Sequence, residues 1–260
     1  MLKYIKEVLA NMPEDWLSTT THRLDIYNEE LAKTQFLEQF EILYKNNDSE
    51  PYSLNKLPTA YDYIRLGHPL SCVLEWTIAK QHQLKPEGVI CFSSKTVPVL
   101  AILRKNLFSN KNTRIYYTGE LPGCFDAKVL KDVYGYNFDL IQVESASTIT
   151  SFDGSTVFIS EQHKMGTIEL NSSIDFYIST YNQVGSVLLV IGEKNESYIS
   201  DIQHVRRRET IAMTPANCLT ALKALTKSSD LTSVANSTTN KTSVLDSIKT
   251  ITGSKTKALV

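Results

Sequence analysis

The sequence predicts an α/β fold of three layers, a mostly parallel sheet with helices on both faces. Apolar runs of strand length recur from residue 88 onward, helical segments alternate with most of them, and several helical segments open on proline. Alternation at this spacing builds βαβ units, which place a sheet between two helical layers.

The elements follow in order. "MLKYIKEVLANMPEDW" has apolar residues at helical spacing, carries acids and lacks a small-residue cleavage site, so it reads as a short amphipathic helix and not a signal peptide. Residues 22–46 repeat apolar side chains at Leu24, Tyr27, Leu31, Phe36, Phe40 and Leu43, the stripe of a one-faced helix. "NNDSEPYSLNKLP" is dense in turn formers and reads as a loop. Pro69 suits a first helical turn, and Leu70, Val73, Leu74 and Ile78 supply the buried stripe behind it. "GVICFSS" is a strand, and "TVPVLAILRKNL" is a helix that tolerates Pro98 because it lies near the start. "TRIYYTG" is a strand, "DAKVLKDVYGY" a helix closed by Gly135, and "FDLIQVES" and "STVFISE" are strands. "IDFYIST" and "SVLLVIG" are strands joined by a short turn. Two helices follow at 196–211 and about 215–226, the second opened by Pro215 and capped by Thr214. Residues 1–57 form an N-terminal helical segment and 58–227 the main domain. Residues 228–260, rich in Ser, Thr and Asn, read as a disordered tail in which "VLDSIKTI" forms a transient helical turn.

Composition narrows the classes of function. A net charge of −1 gives no reason to expect nucleic acid. No apolar run approaches a membrane span. Four scattered cysteines without a CxxC read as reduced thiols of an intracellular, cytoplasmic protein. Five histidines do not pair at metal-ligand spacing, so no metal site is expected. There is no Walker loop, GxGxxG, HExxH or GxSxG. "RRR" at 206–208 reads as a solvated helix face.

Two segments carry more content. In "CFSSKTVP" a strand ending in Ser93 and Ser94 runs straight into a helix, whose first amides point outward and can hold an anion; Ser94 or Thr96 acting only as a cap is the plainer reading. In "YDYIRLGHPLSCVLEW", Tyr63 and Arg65 add a phenol and a guanidinium, natural partners of phosphate, just before the helix that begins at Pro69.

The order Tyr63, Arg65, Gly67, Pro69, Leu74, Glu75, followed by a serine-ended strand that opens a helix, resembles the pyridoxal-phosphate enzymes of cysteine and methionine metabolism. This is the cystathionine γ-synthase and lyase family, with the aspartate-aminotransferase type of fold. The resemblance spans roughly residues 58–226 and continues in "YYTGELPG", "SIDFYIST" and "HVRRRETIAMTPANC". It implies that Tyr63 and Arg65 reach the cofactor phosphate of a neighbouring subunit, that Ser94 binds phosphate within its own subunit, and that residues 61–69 contact a partner.

The same resemblance marks departures. Lys95 stands where the family places glycine in the phosphate cup and can substitute electrostatically, Pro122 where a tyrosine stacks on the pyridine ring, and Ser160 and Glu161 where an aspartate holds the ring nitrogen, a task open to the Glu161 carboxylate. Tyr181 stands at the Schiff-base lysine position, and no lysine occurs between Lys164 and Lys194. A phenol cannot form an imine. By this resemblance the family's C-terminal small domain, about a third of a member and the source of the substrate-carboxylate arginine, is expected to be missing, with residues 228–260 in its place. The expectation is a degenerate relative, doubtful in its hold on pyridoxal phosphate, that acts by pairing with itself or with an active relative. Two alternatives stay open: a working sulfur amino acid lyase or synthase using Lys95 or Lys164, and a phosphometabolite-binding module built on Arg65, Ser94 and Lys95.

Overall fold

A computed structural model describes residues 1–19, 29–58, 60, 63–166 and 168–227. The start of the helix read at 22–46, Tyr61 and the tail at 228–260 lie outside the described residues.

Six strands make one sheet: β1 (Val89–Phe92), β2 (Thr113–Thr118), β3 (Phe138–Gln142), β4 (Ser155–Glu161), β5 (Phe176–Tyr181) and β6 (Gly185–Val190), in the order β1-β6-β5-β4-β2-β3. Strands β5, β4, β2 and β3 run parallel, whereas β6 is antiparallel to both its neighbours. The short turn after Tyr181 accounts for this. A parallel return needs a crossover of a dozen residues or more, and three residues permit only a hairpin.

Alternation along each strand divides the apolar side chains between two layers. One face carries Cys91, Phe158, Tyr177 and Tyr181, packed beneath helices α1 (Leu2–Asn11), α2 (Glu29–Lys45), α4 (Pro69–His82) and α8 (Pro215–Lys227). The other carries Phe92, Ile159, Phe176 and Leu188, covered by α5 (Val97–Phe108), α6 (Ala127–Asp132) and α7 (Ser197–Glu209). Helices α1 and α2 therefore contribute to the same core as α4 and α8, with Ile5, Val8 and Phe40 wholly buried. The segment read as a loop at 46–58 holds a short helix, α3 (Pro51–Asn55). Pro51 is at home in its first turn, where no amide hydrogen is needed. Asp48 steadies this entry by accepting from the Ser53 hydroxyl at 2.6 Å.

Gly135 closes α6 in the left-handed region, at φ +69°, as its position predicts. Thr214 caps α8, its hydroxyl accepting from the Asn217 amide at 3.3 Å. Among the described residues no helix is long and apolar enough to cross a membrane.

Candidate functional site

The carboxyl ends of β1, β2, β4 and β5 lie on one edge of the sheet, where α/β folds place their ligands. Ser93 and Ser94 follow β1 on this edge. The Ser93 amide donates to the Ile211 carbonyl at 3.2 Å and its hydroxyl to Ala212 at 2.8 Å. The Ser94 hydroxyl accepts from the amides of Thr96 (3.2 Å) and Val97 (3.1 Å), the groups that would otherwise face an anion. Ser186, at the start of β6, donates to the Ser94 carbonyl at 2.6 Å.

The second predicted element is the turn at 63–67. The amides of Leu66 and Gly67 donate to the Tyr63 carbonyl at 2.8 and 3.1 Å. Gly67 takes φ +138°, a conformation that suits a residue without Cβ. Tyr63 is half-buried and Arg65 exposed. The turn is held from behind. The Ile64 carbonyl accepts from the Ala212 amide at 3.1 Å, and the Leu66 carbonyl from the Arg206 guanidinium at 2.7 Å. His68 Nε2 lies 2.7 Å from the Met213 carbonyl, so that nitrogen carries the proton, while Nδ1 accepts from the Ser71 amide. Burial pushes the His68 pKa down to about 4, so the ring is neutral at pH 7. Segment 211–213 is thus a common brace for the 63–67 turn and the Ser93–Ser94 junction.

Arg206 does not lie on a solvated face. It is only 5% exposed. It repeats the helical spacing of Tyr198, Ile202 and Val205, and that spacing in the sequence was the signal that could have found it. Its guanidinium meets Glu75 at 3.2 Å and donates to the Cys91 carbonyl at 3.1 Å. The other Glu75 oxygen takes Lys33 Nζ at 2.6 Å, and the Cys91 amide donates to Glu75 at 2.8 Å. Burial pushes the Glu75 carboxyl up, but Lys33 and Arg206 outweigh it and hold the group below the usual carboxylate range. The glutamate read as one letter of the motif is the hub that joins α2, α4, β1 and α7. A lone carboxylate on a helix otherwise buried from Leu70 to Ala79 demanded such partners.

Pyridoxal phosphate, which the resemblance implies, can be tested against these residues. Its aldehyde requires an amine, and Tyr181 is a fully buried phenol, pushed up to about 12 by burial and eased by Ser179 and the Gly166 backbone. Its ring nitrogen requires a carboxylate. Glu161 is exposed and pairs in register with Thr180, on the opposite sheet face from Ser160 and Tyr181. Its phosphate requires free donors, and the amides of Thr96 and Val97 are already taken by the Ser94 hydroxyl. Pro122 is half-buried beyond β2. Lys95 points its amine at Asn182 Oδ1, 3.3 Å away in the β5–β6 turn, and Lys164 is exposed after β4. The residues at the predicted positions do not fit the group as a cofactor held through an imine. Among the described residues no cluster of three or more metal-ligating side chains forms.

No protein-family model and no curated protein matches the chain. Solved structures do. Cystathionine γ-lyase from yeast superposes with TM-score 0.50 at 11% identity, over 86% of this chain and 62% of that one. MetB from Corynebacterium glutamicum gives 0.45 at 12% identity, over 86% and 63%. CalE6, a methionine γ-lyase from Micromonospora echinospora, gives 0.40 at 12% identity, over 64% and 55%. The chain thus spans less than two thirds of the length of each. At 11% identity the likeness to the yeast enzyme is one of fold: this chain has the layered, mostly parallel α/β architecture of cystathionine γ-lyase.

Proposed function

We propose that this chain is a catalytically degenerate relative of the transsulfuration enzymes that acts by association, with a second copy or with an active relative, through residues 63–69. One observation carries this reading. Tyr181, at the position where the resemblance expects the lysine, is wholly buried and supplies no amine. The turn at 63–67 supports the association. It presents Arg65 to solvent while the 211–213 segment and Arg206 brace it from behind, so a partner meets a preformed surface and little ordering cost is incurred on binding.

A second reading is favoured by Lys95, whose amine sits beside the turn that follows Tyr181. In that reading the chain is a sulfur amino acid lyase or synthase with a relocated amine. Incubation of the purified protein with pyridoxal phosphate, borohydride reduction and peptide mapping separates the two. The expected result is no stoichiometric adduct, together with self-association or capture of an active relative in sedimentation velocity that Arg65→Glu abolishes. A stoichiometric adduct on Lys95 overturns the degenerate reading and establishes the second.

A further inference from the structure

The strand order reverses at β3: the chain passes outward from β2 to β3 and then back past β2 to β4. The connection from β2 to β3 carries α6, whose Leu130 packs into the α5 and α7 layer. The connection from β3 to β4 instead packs Val143, Ala146 and Ile149 on the α4 side. Two connections leaving in opposite directions open a crevice at the carboxyl ends of the strands between them. A hollow of about 500 Å³ lies there. Its base is the last rung of the β2–β4 ladder, Thr118 beside Ser160. Phe158 and Tyr177, packed edge to face at 5.9 Å, form its aromatic wall.

The hollow is held open by hydrogen bonds. Asn171 donates its side-chain amide to the carbonyls of Ala146 and Ile149, both at 2.9 Å, fixing the segment that forms one side. The Tyr177 hydroxyl donates to the Asn171 carbonyl at 3.2 Å and accepts from the Asn171 amide, so the aromatic wall is locked to the same residue.

Charge selects the class of ligand. Glu144 and Glu169 line the hollow from two separate segments, and both are exposed, which places them at its mouth. Among the described residues neither forms an ion pair, and no Lys, Arg or His contributes to the lining. An anion, pyridoxal phosphate included, is repelled here. A positive nitrogen gains from both carboxylates, and apolar carbon attached to it gains from the aromatic wall. We infer that this hollow binds a small organic cation, a protonated amine carrying apolar carbon. The inference is independent of the association proposed above and uses none of its residues.

Benzylamine is the probe, with benzyl alcohol as its uncharged counterpart and pyridoxal phosphate as the anionic one. Amide shifts in nitrogen-labelled protein locate the site, and calorimetry gives the affinity. Saturable benzylamine binding that moves the Thr118, Ser145 and Ser160 resonances is expected, with benzyl alcohol and pyridoxal phosphate leaving them unmoved at equal concentration. The double variant Glu144→Gln, Glu169→Gln changes only exposed side chains and should keep the wild-type thermal midpoint. It should bind benzylamine about tenfold more weakly, as expected for two solvent-facing charge contacts. Absence of saturable binding, shifts confined to other parts of the molecule, or equal affinity in the double variant would each overturn the inference.

Discussion

Removing the Glu75 carboxylate would take from the buried Lys33 and Arg206 the anion that they share. Breaking a buried pair costs far more than the intact pair contributes, because the remaining charge stays desolvated. Glu75→Ala is therefore expected to lower the unfolding free energy by about 3–5 kcal/mol in urea titrations. A loss below 1 kcal/mol would mean that the two cations find water or other partners. At this scale the sequence was legible unevenly. The Thr214 cap and the Gly135 stop could be read because each depends on neighbours within a few residues. The Lys33–Glu75–Arg206 group could not be assembled from spacing alone, since its members come from three helices far apart in the chain. Ser94 was legible as a residue with two uses: its hydroxyl accepts from the Thr96 and Val97 amides, and its proton stays available for the other.

At the scale of elements, the β5–β6 hairpin depends on one glycine. A Cβ on Gly185 would lie 2.1 Å from the Phe92 carbonyl oxygen, which is rigid backbone, and the residue takes φ +124°. Gly185→Ala meets both a backbone clash and a strained dihedral. The expected cost is roughly 2–4 kcal/mol, read as a lower urea midpoint. A midpoint shift within experimental error would show that β1 and β6 can separate at that rung without loss. The strands themselves were legible because all six residues of β5 and of β6 are buried and apolar runs of that length have few other uses. Helix α3 was not, because five residues carry too little periodicity and Pro51 serves a loop as well as a helix start. The pairing of β1 with β6 was equally hidden. Nothing local in "VICF" says which strand it will meet.

For the whole molecule, acid sensitivity follows from His68. Its folded pKa is about 4 against an ordinary value of 6.5. Between those values the unfolded chain takes up a proton that the native state refuses. Stability from this group is complete above about pH 6.5 and declines as pH falls toward 4, by up to about 1.4 kcal/mol per pH unit. Below about 4 the native state binds the proton as well and this contribution levels off. Glu75, held below the usual carboxylate range, then adds its own loss as pH falls through its lowered value. Asparagine can still accept from the Ser71 amide, so His68→Asn should keep the cap and flatten the slope between pH 6.5 and 4 in urea titrations. An unchanged slope would assign the acid response to other groups.

The first strand and the first helix both wait for the end of the fold. Val89 pairs with Leu189, a hundred residues later, and α1 packs against α8. A chain emerging from the ribosome therefore holds β1 with an unfilled edge until the hairpin has been synthesised, and α1 with an uncovered apolar side until α8 appears. Non-local closure of this kind slows folding and prolongs the exposure of sticky surface. Fragments that stop short of residue 185 lack the strand against which β1 is registered, so the sheet closes late, and the N-terminal part of the protein is the last to become safe from aggregation.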